Sequence, residues 1–354
     1  MSRYKLEEFI SYEQPAKYIV DSDQYDDSYE IPVLTAGKSF ILGYTDEKNN
    51  LFDDLPVIIF DDFTTSVQFV DFPFKVKSSA MKLLKNTEQA DIKYCYYLLK
   101  FLQHTPENHK RQWLSATSQN TVELPTIEEQ KNIVKKLDKI LEVIDNQNKQ
   151  LELLDEAIKA RFVEMFGDVQ DAKKHSGIQL KDICNTVTGG TPSTKHVEYY
   201  NGTIPWISTV SLGPNYIDGT TAKAFITQEA VDNSSTKIIP SDSILFGTRV
   251  GVGKSSINQV EMCTNQDIVA IIDLDESKYN KLYIKYVLDT YQSYFDSIKK
   301  GATILGISSD DLKNIYVPDA SLYEQDRFEK FVKQIDKSRL LSNHSLFLIK
   351  SIIF

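Results

Sequence analysis

The chain has few of the residues from which metal sites and disulfide frameworks are built. Its 354 residues include three cysteines (Cys95, Cys184 and Cys263), which are far apart, and five scattered histidines. No two cysteines have the short spacing of a zinc site or of a disulfide-rich domain. We therefore expect no metal site, no cofactor of the chain's own, and a reducing compartment, the cytoplasm.

The chain also lacks long hydrophobic runs. Its apolar C-terminal stretch, residues 346–354, contains Lys350 and is far shorter than the roughly 20 residues that cross a bilayer. The N-terminus has no signal-peptide pattern. We therefore expect no membrane association.

Motifs of nucleotide-binding and DNA-modifying enzymes are incomplete. Residues 247–256, GTRVGVGKSS, approach a phosphate-binding loop, but Gly247 is one residue too early for the G-x-x-x-x-G-K-[ST] spacing. The sequence has no NPPY-like tetrapeptide and no glycine-rich loop suited to S-adenosylmethionine, and Pro318-Asp319 lacks a downstream Glu-x-Lys. These absences argue against a nucleotide hydrolase, a methyltransferase and a nuclease.

The net charge of −10 argues against a protein that holds nucleic acid alone. The charge is uneven, however. Residues 1–74 carry 5 Lys and Arg against 15 Asp and Glu, whereas residues 75–120 carry 8 against 3. Local basic loops can still contact DNA if a partner supplies most of the phosphate contacts.

The most informative feature present is an internal repeat. Four segments recur in the same order at offsets of 174, 173, 186 and 195 residues: Lys5–Ile10 with Gln179–Cys184, Ile31–Tyr44 with Ile204–Ile217, Val57–Phe60 with Ser243–Phe246, and Leu124–Gln130 with Val317–Gln325. The order indicates a duplication whose second copy gained loop insertions.

Each copy begins with short apolar runs broken by Gly, Pro, Ser and Thr, which predict strands, and has an amphipathic helix late in the domain. These helices are predicted at Ile92–Gln103 and Asn280–Phe295. Each copy then ends in a long helix. Residues 126–166 lack Gly and Pro, and their apolar residues follow steps of four and three with Asp155 as the misfit. Some 40 residues predict a rod of about 60 Å.

The second long helix is predicted to begin near Ser321, and its apolar face is interrupted by Arg339 and Ser342. Two such helices most simply pack antiparallel, each covering the other's apolar stripe. We thus predict an α/β fold of the α+β type. It has two similar globular domains with mixed β-sheets (residues 1–123 and 177–318), a central long helix (124–168), a linker (169–176) and a C-terminal helix (319–354).

Several segments carry a family resemblance that extends over essentially the whole chain. The pattern resembles the specificity subunit of type I restriction–modification systems, and its carriers are Phe60–Leu84, Glu123–Ile140, Val187–Thr194, Gly202–Ser208, Gly247–Ile257, Thr264–Ile271 and Tyr323–Ser338. One departure is the C-terminal helix. It runs 29 residues beyond Gln325, whereas the central one runs 36 beyond Gln130.

The resemblance implies a non-catalytic subunit that directs other chains to DNA. Each globular domain would be a target-recognition domain reading one half of a bipartite, asymmetric site in double-stranded DNA. The long helices would hold the domains apart and bind DNA adenine methyltransferase subunits, two of them, which would use S-adenosylmethionine. A restriction and translocation subunit would use ATP and Mg²⁺.

Candidate DNA contacts are basic, hydroxyl and glycine residues of loops, since Arg and Lys read guanine and glycine lets the backbone approach closely. In the first domain they are Thr35, Lys38, Ser39, Thr64, Thr65, Lys75 and Lys77; in the second they are Gly190, Thr191, Ser193, Thr194, Lys195, His196, Arg249, Lys254 and Ser255.

Candidate partner contacts lie on the two long helices. They are Gln130, Leu137, Leu141, Ile144, Leu151, Gln325, Phe328, Val332 and Ile335. Two alternatives stay open from the residues alone. The loop residues are also consistent with ordinary solvated side chains, and the helices with a scaffold that joins other proteins without reading DNA sequence.

Overall fold

The computed structural model describes residues 3–37, 39–106, 111–169, 177–301 and 303–353. The chain divides into two compact units. The first unit comprises residues 1–147 and 346–354, and the second comprises residues 148–345.

Among the described residues, the first unit contains nine strands, two whole α-helices, the start of the central long helix and the end of the last helix. Up to the central helix they are β1 (Arg3–Lys5), β2 (Ile10–Glu13), β3 (Ile31–Leu34), β4 (Ile41–Thr45), β5 (Val57–Asp61), β6 (Val67–Val70), β7 (Lys75–Val76), β8 (Met81–Asn86), α1 (Ile92–Phe101), α2 (Gln112–Ser115), β9 (Thr121–Glu123) and the start of α3 (Ile127–Phe166).

The second unit contains the end of α3 and most of the last helix. Its other elements are β10 (Ile178–Gln179), β11 (Asn185–Thr188), β12 (Ile204–Ile207), β13 (Tyr216–Ile217), β14 (Ala224–Ile226), α4 (Gln228–Asp232), β15 (Ile238–Ile239), β16 (Ile244–Gly247), β17 (Ser255–Asn258), β18 (Met262–Thr264), β19 (Ile268–Ile272), α5 (Lys281–Thr290), α6 (Gln292–Ile298), α7 (Ser309–Lys313), β20 (Tyr316–Val317) and α8 (Leu322–Ile353).

The two units share one sheet topology. The first has sheets in the orders β2-β8-β5-β6, β4-β3-β7 and β1-β9; the second has β11-β19-β16-β17-β13, β14-β12-β18-β15 and β10-β20. In both, the smaller mixed sheet holds one parallel pair, β3 with β7 and β12 with β18. The second unit adds β13, α4 and β15, which accounts for the rise of the repeat offset from 173 to 186 residues.

Alternate residues of the central strands enter two different cores, because successive side chains of a strand point to opposite faces. In β5, Ile58 and Phe60 pack with Cys95 of α1, whereas Val57 and Ile59 pack with Leu34 and its neighbours in the smaller sheet. In the second unit, Phe246 belongs to the core that includes α5, and Leu245 to the core that includes β12. This double coverage explains why both strands read as continuous apolar runs.

Within the second unit the two long helices run antiparallel. The ring of Phe162 lies 5.4 Å from that of Phe328, and Asp155, earlier in α3, pairs with Arg339, later in α8. Asp155 and Arg339 are two of the polar residues that interrupt the apolar patterns of α3 and α8, the third being Ser342. The breaks at Asp155 and Arg339 are therefore matched by charges of opposite sign.

The predicted fold class is confirmed, with mixed sheets, helices and a 40-residue helix between the sheet-rich parts of the chain. The central helix ends at Phe166, followed by Gly167 with a φ of +74°. The helix predicted at Asn280–Phe295 is instead two helices, α5 and α6, on either side of Tyr291. The predicted linker, residues 169–176, lies outside the described residues apart from Val169.

Candidate nucleic-acid interface

The turn at residues 247–254 connects β16 to β17, two antiparallel neighbours. Its backbone N–H groups are used inside the protein. Gly247 donates to the carbonyl of Lys254 at 2.9 Å, and Gly253 donates to the carbonyl of Gly247 at 3.1 Å. A phosphate-binding loop needs free N–H groups ahead of a helix. This hairpin turn is therefore not a phosphate-binding loop.

The glycines of the turn give it its shape and leave two basic side chains exposed. Gly251 and Gly253 have φ values of +69° and +91°, where glycine is favoured. A Cβ atom at Gly253 would lie 1.8 Å from Oε1 of Gln292. Arg249, with 57% of its side chain exposed, and Lys254 are the accessible candidates here.

Ser255 has a different environment from its neighbours in the turn. It is buried, and its hydroxyl donates to Oδ1 of Asp289 at 2.6 Å. Lys285 donates to the other oxygen of the same carboxylate at 2.7 Å, and Gln292 donates to the carbonyl of Val252 at 3.0 Å. Ser255 is thus unsuited to the predicted DNA contact, because it fastens the turn to α5.

The loop at residues 189–196 starts with two glycines that pass close to neighbouring backbone. Gly189 donates to the carbonyl of Ile268, and Gly190 to that of Thr264. A Cβ atom at Gly190 would lie 2.4 Å from the backbone nitrogen of Thr236. Gly190 is therefore buried for close packing. The rest of the predicted set here is exposed: Thr191, Ser193, Thr194, Lys195 and His196.

His196 is partly engaged by its own loop. Its Nδ1 lies 2.8 Å from Oε1 of Glu198, and its ring stacks on Tyr199 with 4.8 Å between centroids. The backbone N–H of Glu198 and the hydrogen bond with His196 lower the pKa of the Glu198 carboxyl. A negative charge on Glu198 therefore lies beside the imidazole of His196 and would offset a positive charge on that ring.

A third segment, residues 265–267, joins these two loops and was missed in the sequence analysis. Asn265 donates its backbone N–H to Ile207 at 3.0 Å, and Thr248 donates its own to the carbonyl of Asp267 at 2.8 Å. Arg249 Nη1 lies 3.8 Å from Oδ1 of Asp267. The run TNQD was visible in the sequence, but only strand pairing shows that it borders the turn.

In the first unit the matching turn, residues 61–66, is organised by acidic side chains. Asp61 accepts from the backbone of Phe63 at 2.8 Å and from the hydroxyl of Thr64 at 2.7 Å. Thr64 is exposed, as a DNA contact requires. Thr65 is buried with a φ of +57°, and its hydroxyl donates to the carbonyl of His104 at 2.7 Å, so it serves the turn itself.

A buried ion pair lies beneath this turn. Nζ of Lys82 is 3.0 Å from Oδ2 of Asp62, and both residues are buried. Nζ of Lys82 makes no hydrogen bond of normal geometry among the described residues, so its interaction with Asp62 is electrostatic. The other oxygen of Asp62 accepts from the backbone of Trp113 at 2.9 Å.

The two lysines predicted to contact DNA at the end of the first unit's smaller sheet, Lys75 in β7 and Lys77 just after it, have acidic partners. Lys75 is fully buried and pairs with Glu47, whose carboxylate also accepts from the backbone of Asp21. Burial opposes ionisation of Glu47, but these hydrogen bonds outweigh it and lower the pKa of the carboxyl. Lys75 is therefore unsuited to contact DNA. Lys77 is half-buried and pairs with Asp23.

The remaining candidates of the first unit lie at the loop after β3. The hydroxyl of Thr35 donates to the carbonyl of Ser39 at 2.9 Å and accepts from the backbone of Gly37 at 3.1 Å. Ser39 is exposed. Lys38 lies outside the described residues.

The two glutamines assigned to partner binding have the same internal role. Gln130 has no exposed surface; its Oε1 accepts from the backbone of Asp91 at 2.7 Å, and its Nε2 donates to the carbonyls of Gln89 and Pro125. Asp91 is the N-cap of α1. The amide therefore binds the start of α1 to the start of α3.

Gln325 repeats this network in the second unit. It is fully buried, accepts from the backbone of Asn280 at 2.8 Å, and donates to the carbonyls of Lys278 and Ala320. Asn280 is the N-cap of α5. Both long helices also begin with a capping box, in which Thr126 pairs with Glu129 and Ser321 with Glu324. We call the two amide networks the glutamine locks.

The other predicted partner contacts differ in accessibility. Phe328, Val332 and Ile335 are buried in the core of the second unit. Leu137, Ile144 and Leu151 are half-buried, and Leu141 is 40% exposed. These buried side chains hold the elements of the second unit together. Leu141 and the half-buried residues are therefore the better candidates for contact with another protein.

Nothing in the described residues suggests chemistry of the chain's own. No three His, Cys, Asp or Glu residues among them group closely enough to hold a metal ion. Burial raises the pKa of Cys95 to about 12 and the pKa of Cys184 and Cys263 to about 11, so these thiols stay protonated near neutral pH. In the same residues, no helix has both the length and the apolar character to cross a membrane.

Known proteins with similar sequences and folds agree on one family. Residues 175–349 match the type I restriction modification DNA specificity domain. The chain is 35% identical to the EcoR124I/EcoR124II specificity subunit of Escherichia coli, over 96% of this chain and 86% of that one. It is 32% identical to the MjaIX specificity subunit of Methanocaldococcus jannaschii, over 45% and 37%.

Solved structures show the same fold at low sequence identity. The S subunit of a type I restriction–modification system from M. genitalium matches with a TM-score of 0.57 and 14% identity, covering 99% of this chain and 93% of that one. A chain from a study of complex assembly and conformational transition of the type I system matches with a TM-score of 0.50 and 14% identity, over 99% and 97%. Given the identity to the Escherichia coli protein along nearly the whole chain, this protein belongs to the DNA specificity subunits of type I restriction–modification systems, which are not themselves catalytic.

Proposed function

We propose that the chain reads two unlike half-sites of double-stranded DNA, one with each recognition domain, and directs other chains to the site between them. The domains are residues 1–123 and 177–318, with the helices of residues 124–168 and 319–354 as spacers. Long helices between two readers would set the spacing of a split site, much as dimer geometry sets half-site spacing in other DNA-binding proteins.

The observation that carries this proposal is the repeated frame with different loops. The hairpin between β5 and β6 corresponds to that between β16 and β17, and the residues after β7 correspond to those after β18. These loops carry Thr64 and Lys77 in the first unit, but Arg249, Lys254 and Gln266 in the second. Unlike side chains on like frames favour unlike base sequences.

We further propose that the long helices bind two DNA adenine methyltransferase subunits, which use S-adenosylmethionine, and that a restriction subunit using ATP and Mg²⁺ joins the complex. Exposed apolar side chains on the helices support a protein partner: Leu141 and Val143 in the first unit, and Leu153, Val163, Leu340 and Leu341 in the second. The acidic net charge of the chain supports a complex in which the partner subunits neutralise most of the DNA phosphates. The complex would act in the cytoplasm.

The test is to co-express the chain with its cognate methyltransferase subunit and map methylated adenines on a plasmid of known sequence. We expect one asymmetric motif with two specified blocks separated by a gap of fixed length. The methyltransferase expressed alone is the control and should give no such motif.

A helical scaffold without sequence readout is the alternative, and the same map distinguishes it. Methylation scattered over unrelated sequences, or a single uninterrupted block, would contradict the reading by two domains.

A further inference from the structure

Gln266 stands out among the exposed polar residues of the second unit because its backbone is held on both sides. It follows β18 and is exposed. On one side, Asn265 donates to the carbonyl of Ile207 at 3.0 Å. On the other, the carbonyl of Asp267 accepts from both the backbone and the hydroxyl of Thr248, at 2.8 and 3.1 Å.

The side chain of Gln266 is also oriented by a neighbour. The hydroxyl of Thr191 donates to its Oε1 at 2.5 Å. Thr191 in turn follows Gly190, whose N–H donates to the carbonyl of Thr264 at 2.8 Å. A carbonyl oxygen has two lone pairs, so Oε1 can accept a second hydrogen bond while the NH₂ group donates.

This pattern fits one base edge. In the major groove adenine offers the N6 amino group as donor and N7 as acceptor, which glutamine matches with two hydrogen bonds. The backbone bonds of Asn265 and Asp267 and the hydroxyl of Thr191 already orient Gln266 without DNA. Its side chain therefore loses less conformational entropy on binding than a freely rotating one. Arg249 lies at the same edge, 3.8 Å from Asp267, and can read guanine or a phosphate.

We propose that Gln266 is a specificity-determining residue that reads an adenine in the half-site of the second recognition domain, with Thr191 as its positioning residue. This inference rests on the proposed function. The first unit offers a contrast at the equivalent position. Lys77 donates its backbone N–H to Leu34 at 3.0 Å as Asn265 does to Ile207, which places Ser78 where the second unit has Gln266. Serine contacts bases without this preference.

The test maps methylated motifs for the complex containing the wild-type chain, Gln266→Ala, Gln266→Glu and Gln259→Ala. Gln259 is the matched control, since it is exposed and follows the far end of β17. We expect Gln266→Ala to lose about tenfold discrimination at one adenine position of one block. Gln266→Glu should favour cytosine there, because a carboxylate only accepts hydrogen bonds. Gln259→Ala should leave the motif unchanged.

Base preferences in Gln266→Ala that equal those of wild type at every position would overturn the inference. A uniform fall in methylation with the motif intact would also overturn it, since that result indicates a phosphate contact or a structural role. If the wild-type chain itself gives no split motif, the proposed function fails, and this failure is separate because it appears before any substitution. Equal melting temperatures of the four complexes check that folding is intact.

Discussion

The two recognition units have the same strand order but differ at the turn that follows the central strand. Phe60 of β5 pairs with Lys82, and Phe246 of β16 pairs with Val269. The next positions are Asp61 and Asp62 in the first unit, but Gly247 and Thr248 in the second. The first turn is therefore anchored by the buried ion pair of Asp62 with Lys82. The second is anchored by backbone hydrogen bonds, by its glycines, and by the hydrogen bonds of Ser255 to Asp289 and of Gln292 to Val252.

This difference teaches which parts of the unit are free to vary. Hydrogen bonds at the base of the loops recur, as in the matching backbone bonds from Lys77 to Leu34 and from Asn265 to Ile207. The side chains beyond that base do not recur. A fixed base with variable tips lets one fold read different sequences, just as loops on a rigid scaffold carry function in other proteins.

The largest effect we expect comes from breaking the anchor of the first turn. In Asp62→Asn, Lys82 would keep a buried charge without its counter-ion, and this typically costs about 3–5 kcal/mol. The free energy of unfolding, measured by urea denaturation, should fall by that amount. Hydrogen exchange should rise in β5, β6 and β8, while β16, β17 and β19 stay protected.

The control for this prediction is Asp54→Asn. Asp54 pairs with Lys85 at 2.8 Å but is well exposed, so its loss should cost less than about 1 kcal/mol. Equal losses of unfolding free energy in the two variants would contradict the anchoring role of the buried pair. Faster exchange in the second unit would show that its effect is not confined to the first.

The next prediction concerns a feature that the two units share, the glutamine locks. Gln130→Ala and Gln325→Ala each leave one partly buried N–H group and two carbonyls without their partner, which should cost on the order of 1–3 kcal/mol. Because the locks have the same geometry, we expect similar losses. Hydrogen exchange should increase at the start of α1 in the first variant and at the start of α5 in the second.

The exposed Gln334 of α8 serves as the control, and Gln334→Ala should change stability little. A large loss of stability in one variant and none in the other would mean that the two networks, though alike in geometry, stabilise their units unequally.

Much of this fold could be predicted from the sequence because apolar periodicity and the repeat both report on burial. The long helix to Phe166, the strands at Val57–Phe60 and Ile268–Ile272, and the apolar stripe through Phe328 and Val332 all follow from pattern. The pairing of Asp155 with Arg339 could not be predicted, because each residue was only a misfit in its own stripe. The partner of a polar misfit depends on the register of two helices.

The candidate site was less predictable, because residue type does not reveal burial within a loop. Lys75 and Ser255 have suitable chemistry for DNA, but β-pairing turns both inward, where Glu47 and Asp289 accept from them. Gln266 was missed for the converse reason. Its relation to Thr191 and Arg249 depends on the antiparallel pairing of β19 with β11 and β16, long-range contacts without a local sequence signal.

The most direct test of the central claim, that each unit reads its own half-site, is the methylation motif of complexes with Arg249→Ala or Lys254→Ala. We expect weaker methylation of the target, by about tenfold for Arg249 if it reads guanine, with unchanged thermal stability. Any altered base preference should fall within a single block of the motif. Unchanged site-specific methylation in both variants, or changes in both blocks at once, would contradict the account.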